Sequence, residues 1–394
     1  MSLQLTKEQA EKLFELIERK IFSKEDMDWQ DIVDELSLDI HRDTLRKATF
    51  LYPLIKEHFE SKIKDGMSDE QLKEMKQLEK DLFKLKVQLS DERREIKNYM
   101  RHEGRLDNLL RNLLDEIKDD VNTNKPLQWL KPSLSPTSSG ALTLLLSDLH
   151  KGMVTDNHWN KYDSDTFYKR LNQLTNEVLE YQNITNAKEI HVFELGDVIS
   201  GVIHRLTKLS ETENAVKSTQ KVAEALSELL CVLANNFETV HYYNVKGNHD
   251  RVSARKEEEV KTESFHEFIA WYMQARLENF ENIVFHNNDL DSEIIVAEIL
   301  GNNYFAVHGH LDNLGNVVQN LTLMTKVFPT AVFLGHYHRN FENEIHGVDL
   351  IVNGSFGGVD DYAKDGRMTG KAHQKLLWID ENGRKATFYI KFNK

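Results

Sequence analysis

Five short polar segments constrain this chain more than anything else in it. SDLH (147–150), LGD (195–197), KGNHD (246–250), VHGH (307–310) and LGHYH (334–338) each close a run of apolar, β-branched or aromatic residues. The runs ALTLLL, EIHVFE, TVHYYN, NYFAV and AVFL read as strands. Runs this continuously apolar are buried on both faces, which requires sheets covered by other layers. Between them the periodicity turns helical, and helices are predicted over 164–182, 211–235 and 262–278. EIIVAEIL and NYFAVHGH are predicted to pair as a hairpin through Gly301, Asn302 and Asn303, and DLIVNGSF follows as a further strand. The pattern predicts an α/β domain over 140–394.

The five segments carry carboxylates, imidazoles and one amide, the donors that hard and borderline divalent cations take. Asp148 and His150 are two apart, as are His336 and His338. On an extended chain such pairs face the same side. Glycines precede Asp197, Asn248 and His336 and are expected to permit tight turns there. Two cations sharing a carboxylate suit in-line displacement at phosphorus.

In this order, the five segments resemble the calcineurin-like metallophosphoesterases, over roughly residues 140–360. The style is that of the DNA-repair exonuclease branch. The resemblance implies a two-sheet β-sandwich flanked by helices, with the ligands on loops at one edge. It implies that Asp148, His150 and His338 bind one metal, that Asn248, His308 and His336 bind a second, and that Asp197 bridges them. It further implies attack by metal-bound hydroxide, with His249 protonating the leaving oxygen and Asp250 orienting His249. Relatives often carry Asp or Asn three residues past the bridging aspartate; here that residue is Ser200. Two divalent ions are expected, Mn²⁺ foremost, with Fe²⁺, Zn²⁺, Ni²⁺ and Mg²⁺ as alternatives. His204, Arg205, Arg251 and Arg255 are candidate substrate contacts, against a reading as solvated loop residues. Lys246 is expected to cap its strand at the surface, and Asn353, Gly354 and Ser355 to form a structural turn.

Three of the five prolines fall in KPLQWLKPSLSP, and 123–139 is read as a linker or extended arm pinned by Trp129 and Leu130. Ahead of it, residues 1–66 form an all-α pattern in which Ile32, Val33 and Leu36 mark a short helix. A following helix would carry Arg42, Thr44, Arg46 and Lys47. This arrangement resembles a helix-turn-helix, whose second helix would present those four residues to DNA; a plain helical bundle shows the same pattern. Residues 67–122 carry a defective heptad repeat, read as a coiled coil that would pair two copies of the chain or as a helical arm. A net charge of −14 argues against indiscriminate nucleic-acid binding but does not exclude a local basic face. There is one cysteine, Cys231, so no disulfide forms within the chain, which fits a reducing, cytoplasmic setting. No apolar run is long enough to span a membrane. DNA is the expected partner, and a DNA-cleaving phosphodiesterase the expected activity. The alternative is a phosphatase or phosphodiesterase for small nucleotides or phosphoproteins, because the same metal pair serves all of these.

Overall fold

The computed structural model describes residues 124–132 and 140–392, apart from 204–213, 255, 261–262 and 368. It also describes 28–36 and scattered positions between 12 and 111. The chain divides into two compact units, 1–99 and 100–394.

In the first unit, helix α1 (Trp29–Glu35) starts at Asp28. The Asp28 carboxylate accepts from the helix N-terminus while Asp31 reaches back to the Asp28 N–H, a reciprocal cap. Its buried Ile32 and Val33, with Leu36, pack with Leu13 and Leu16. Arg42 is exposed and lies 3.3 Å from Asp28. Thr44, Arg46, Lys47 and nearly all of 67–122 lie outside the described residues.

The second unit is two sheets face to face with helices outside each. The first sheet has the order β13-β12-β1-β4-β5-β6, and the second β10-β11-β9-β8-β7. In the first, β1 (Ala141–Leu146), β4 (Glu189–Glu194), β5 (Thr239–Asn244) and β6 (Ile283–Phe285) run parallel. β12 (His373–Asp380) and β13 (Gly383–Lys391) add an antiparallel flank. In the second, β8 (Asn302–Val307), β9 (Ala331–Leu334) and β11 (Val348–Val352) are parallel. β7 (Ile295–Ile299) and β10 (Phe341–Ile345) close its two edges antiparallel. Two short strands, β2 (Thr155–Asp156) and β3 (Lys161–Tyr162), form a separate ribbon.

Alternate residues of each strand face the other sheet. Leu145, Phe193, Tyr243 and Leu377 from the first meet Ile295, Tyr304, Phe333 and Ile351 from the second. The opposite faces carry Leu144, Val192 and Val240, covered by α2 (Ser164–Thr185), α3 (Ala215–Ala234) and α4 (Phe265–Arg276). Val332, Leu334 and Leu350 are covered by Val317, Val318 and Leu321 of α5 (Val317–Thr325). A short α6 (Asp361–Asp365) precedes β12. Both faces of β1 and β9 are therefore buried along their whole length, whereas β5 and β6, toward the sheet edge, keep part-exposed residues.

Two expectations are corrected. The β7–β8 turn is Leu300-Gly301, with φ of 50° and 80°, and Asn302 and Asn303 already pair within β8. Two left-handed residues match the twist of a two-residue hairpin, whereas a longer loop would not. In the proline-rich segment, Leu127 and Trp129 pack on the core, but the Leu130 side chain is exposed and only its N–H is fixed, donating to Asn235 at 2.7 Å.

Candidate metal centre

The parallel strands β1, β4, β5, β8 and β9 all deliver their C-terminal ends to one edge of the sandwich, and a motif segment follows each directly. Hydrogen bonds between the loops continue the sheets past their ends: Leu195 N–H donates to Leu146, Val245 N–H to Glu194 and Gly335 N–H to His308. Side chains far apart in sequence thus meet at fixed separations.

One donor atom each from Asp148, His150, Asp197 and His338 lies within 4.8 Å of the others, and Asp197, His308 and His336 form a second such group. Asp197 belongs to both. His338 Nε2 lies 3.2 Å from Asp148 Oδ1 and 3.1 Å from His150 Nε2. His308 Nε2 lies 3.3 Å from Asp197 Oδ2 and 3.1 Å from Asn248 Oδ1. All seven residues assigned to metal ligation from the sequence therefore converge. Carboxylate, imidazole and amide donors aimed at two common points fit two divalent cations.

The route by which they converge differs from the extended-strand expectation. Asp148, His150, Asp197, His336 and His338 have φ of 54°, 47°, 54°, 63° and 51°. Among the described residues ten non-glycine side chains sit in this left-handed region, and half of them are these five. Such conformations are costly and persist where surrounding structure over-determines them, typically at functional sites. The pairs 148/150 and 336/338 share a direction through left-handed turns beyond the strand ends, not through strand alternation. Of the three preceding glycines, Gly196 alone has the left-handed φ. A Cβ at Gly247 would strike the Asp197 backbone and carboxylate, and one at Gly335 would press on Ser147 and Asp148. Those two glycines serve close approach, not turning.

Electrostatics follow from burial and mutual charge. Burial pushes the Asp197 carboxyl up, but His308, His249 and His150 pull it well below the usual carboxylate range. Burial acts against charge on His308 too, yet Asp197 and Asp148 raise it to about 10. His338 is likewise raised, by Asp148 against its burial. His150 is lowered to about 3 by burial and His249, and His336 to about 4 by burial and His308. Buried carboxylates thus call positive charge into the centre, which cations would supply by displacing those protons.

Asp250 does not orient the His249 ring. It is buried, and its carboxylate accepts from the N–H groups of Gly247, Asp197, Val198 and Ile199 at 2.7 to 3.4 Å, locking two ligand loops together. The partner of His249 Nδ1 is the carbonyl of Ser200, at 2.8 Å. A backbone oxygen fills the role that a side chain at position 200 would otherwise take. The His249 N–H donates to Asp197 Oδ1 at 2.8 Å, and its Nε2 lies 4.0 Å from Asp197 Oδ2. Arg251 is half-buried, with its Nε donating to the Ser253 carbonyl. His204, Arg205 and Arg255 lie outside the described residues. Lys246 is buried, not at the surface, paired with Glu259 at 3.1 Å and Glu293 at 3.4 Å.

Several supports brace the ligands, and of these only Asn353 stood out in the sequence, as part of the turn at 353–355. His308 Nδ1 lies 2.6 Å from the Leu195 carbonyl. Buried Glu194 accepts from Gly196 N–H at 2.7 Å and pairs with His266 at 2.9 Å, bracing the turn into Asp197. Asn353 donates to the Leu145 carbonyl, to Ser147 Oγ and to Gln374 Oε1, which fastens the loop after β11 to the first sheet. Partners of this kind fix ligand tautomer and direction.

Residues 142–354 match the family model described as calcineurin-like phosphoesterase. Among curated proteins, the SPbeta prophage-derived protein YonJ of Bacillus subtilis (strain 168) is 25% identical over 322 residues, covering 76% of each chain. Similar solved structures include an archaeal phosphodiesterase, 14% identical with a TM-score of 0.32 over 63% of this chain and 99% of that one. A predicted phosphoesterase from Streptococcus pneumoniae is 12% identical with a TM-score of 0.27 over 65% and 99%. With more than half its length matched and the motif residues gathered at one edge of its sandwich, the chain belongs to the calcineurin-like phosphoesterase family.

Proposed function

We propose that this protein is a two-metal phosphodiesterase that cleaves DNA. The observation that carries the hydrolytic reading is the placement of His249 beside the carboxylate shared by both donor groups. Asp148, His150, Asp197 and His338 would hold one cation, and Asp197, Asn248, His308 and His336 the other, with Mn²⁺ suiting the mixed donors. Bound there, the cations supply charge neutralisation at the phosphoryl oxygens and ease ionisation of water. Asp197 is kept ionised, so it stays available to both. The Ser200 carbonyl accepts a hydrogen bond from Nδ1–H of His249, which leaves Nε2 for the reacting group; in the imidazolium form Nε2 carries the proton that passes to the leaving oxygen.

DNA as substrate draws support from the separate N-terminal unit, where capped α1 is followed by exposed Arg42. A net charge of −14 favours a second reading, hydrolysis of small nucleotides. Purified protein with Mn²⁺ is incubated with bis-p-nitrophenyl phosphate, labelled single- and double-stranded oligonucleotides and a nucleotide panel. Diester and oligonucleotide cleavage that stops with chelator is expected. Faster turnover of nucleotides, with no oligonucleotide cleaved, would replace the DNA reading with the second.

A further inference from the structure

A second histidine cluster lies on the inner face of the first sheet, away from the ligand loops. His191 on β4 and His241 on β5 are register partners, so their side chains stand side by side. Glu189 lies two residues before His191 and shares its face. One donor atom from each of Glu189, His191 and His241 falls within 4.8 Å of the others. Each imidazole has Nδ1 engaged: that of His191 lies 3.3 Å from the Tyr243 hydroxyl and that of His241 lies 2.9 Å from His286 Nε2. Such outer contacts are what metal-ligating histidines use to present the other nitrogen. His191 is 3% exposed, and its Nε2 is buried with no hydrogen-bond partner among the described residues. Leaving a buried polar atom unmatched is costly, and a bound ligand would relieve that cost.

The geometry points to a third divalent-cation site, formed by Glu189, His191 and His241, with His191 oriented by Tyr243, that ties β4 to β5. Two imidazoles and one carboxylate suit Zn²⁺, Co²⁺ or Ni²⁺ better than Mg²⁺. Burial, with like charge from His241 and His286, lowers His191 to about 3; burial also lowers His241. The nitrogen lone pairs are therefore free at neutral pH. Partly exposed Glu189 and His241 give a cation a way in. The two rings stack at 4.4 Å and within 7° of parallel, so in-plane lone pairs converge only after His241 turns about its Cβ–Cγ bond. About 10 Å of strand separates His191 from the end of β4, which keeps the site apart from the catalytic loops.

The test is Zn²⁺ stoichiometry by equilibrium dialysis and elemental analysis of the full chain, wild type against His241→Phe. Phenylalanine preserves the stacked ring and removes the donor. The variant is expected to bind one equivalent fewer while keeping bis-p-nitrophenyl phosphate hydrolysis. The readout is a difference, so it stands whatever the catalytic centre holds, and it is independent of the diesterase assay. Glu189→Gln, near the surface, should weaken the same equivalent by about 10–100-fold. Crystals grown with Zn²⁺ should place anomalous density between the three residues with the stack opened. Equal stoichiometry in wild type and His241→Phe, or an intact stack with no density, would leave the cluster a layer of packed rings and overturn the site.

Discussion

At the scale of single residues, the division of labour between His249 and Asp250 is the point on which chemistry turns. His249 reaches the shared carboxylate from outside the donor groups, whereas Asp250 works through backbone N–H groups under them. His249→Asn should therefore lower turnover by about 10²–10⁴-fold and leave metal content unchanged, as measured by steady-state kinetics and elemental analysis. A fall in bound metal would instead make His249 a ligand. The residue types of the centre were legible in the sequence because the donor atoms themselves are the signal. The Ser200 carbonyl was not, since every residue carries one and only the fold selects which is used.

At the scale of elements, the long apolar runs could be read as strands, whereas β10, β12 and β13, which mix charged with apolar residues, could not. No expectation covered α5, β10, β12 or β13. Lys375 on β12 has a fully buried side chain and pairs with Glu342 of β10 at 3.0 Å, and Arg384 of β13 also reaches Glu342. Charges that bury one another hide a strand from any hydrophobicity pattern. Burial alone would raise the Glu342 carboxyl, but Tyr389, Lys375 and Arg384 bring it down to about 2. Glu342→Gln leaves Lys375 buried and unpaired, and urea unfolding should show a loss of about 3 kcal/mol. Lys375→Met, which removes the buried charge itself, should cost much less. A second expectation concerns the β7–β8 turn, where Leu300 occupies a left-handed position. Leu300→Asn should stabilise the protein by about 1 kcal/mol in the same assay, because asparagine tolerates that conformation.

At the scale of the whole molecule, buried neutral histidines couple stability to pH. His191 is lowered to about 3 from an ordinary 6.5, with His241, His286, Tyr243 and Glu189 as its neighbours. Its folded form binds fewer protons than its unfolded form between those values. Its contribution is thus fully present above pH 6.5 and is lost as pH falls toward 3. With chelator present, urea midpoints of wild type should drop through that window, and those of His191→Phe should drop less. An equal slope in both would show that His191 does not carry the dependence.

The sequence by itself determined which donors the chain carries, that they follow buried strands, and that α and β elements alternate, because these are properties of neighbours along the chain. Tertiary structure alone decided that the strand ends of two sheets face one another, that five of the gathered side chains adopt left-handed backbone, and that His191 stands beside His241. Strand register and sheet stacking are set by contacts between distant residues, and local periodicity holds no record of them.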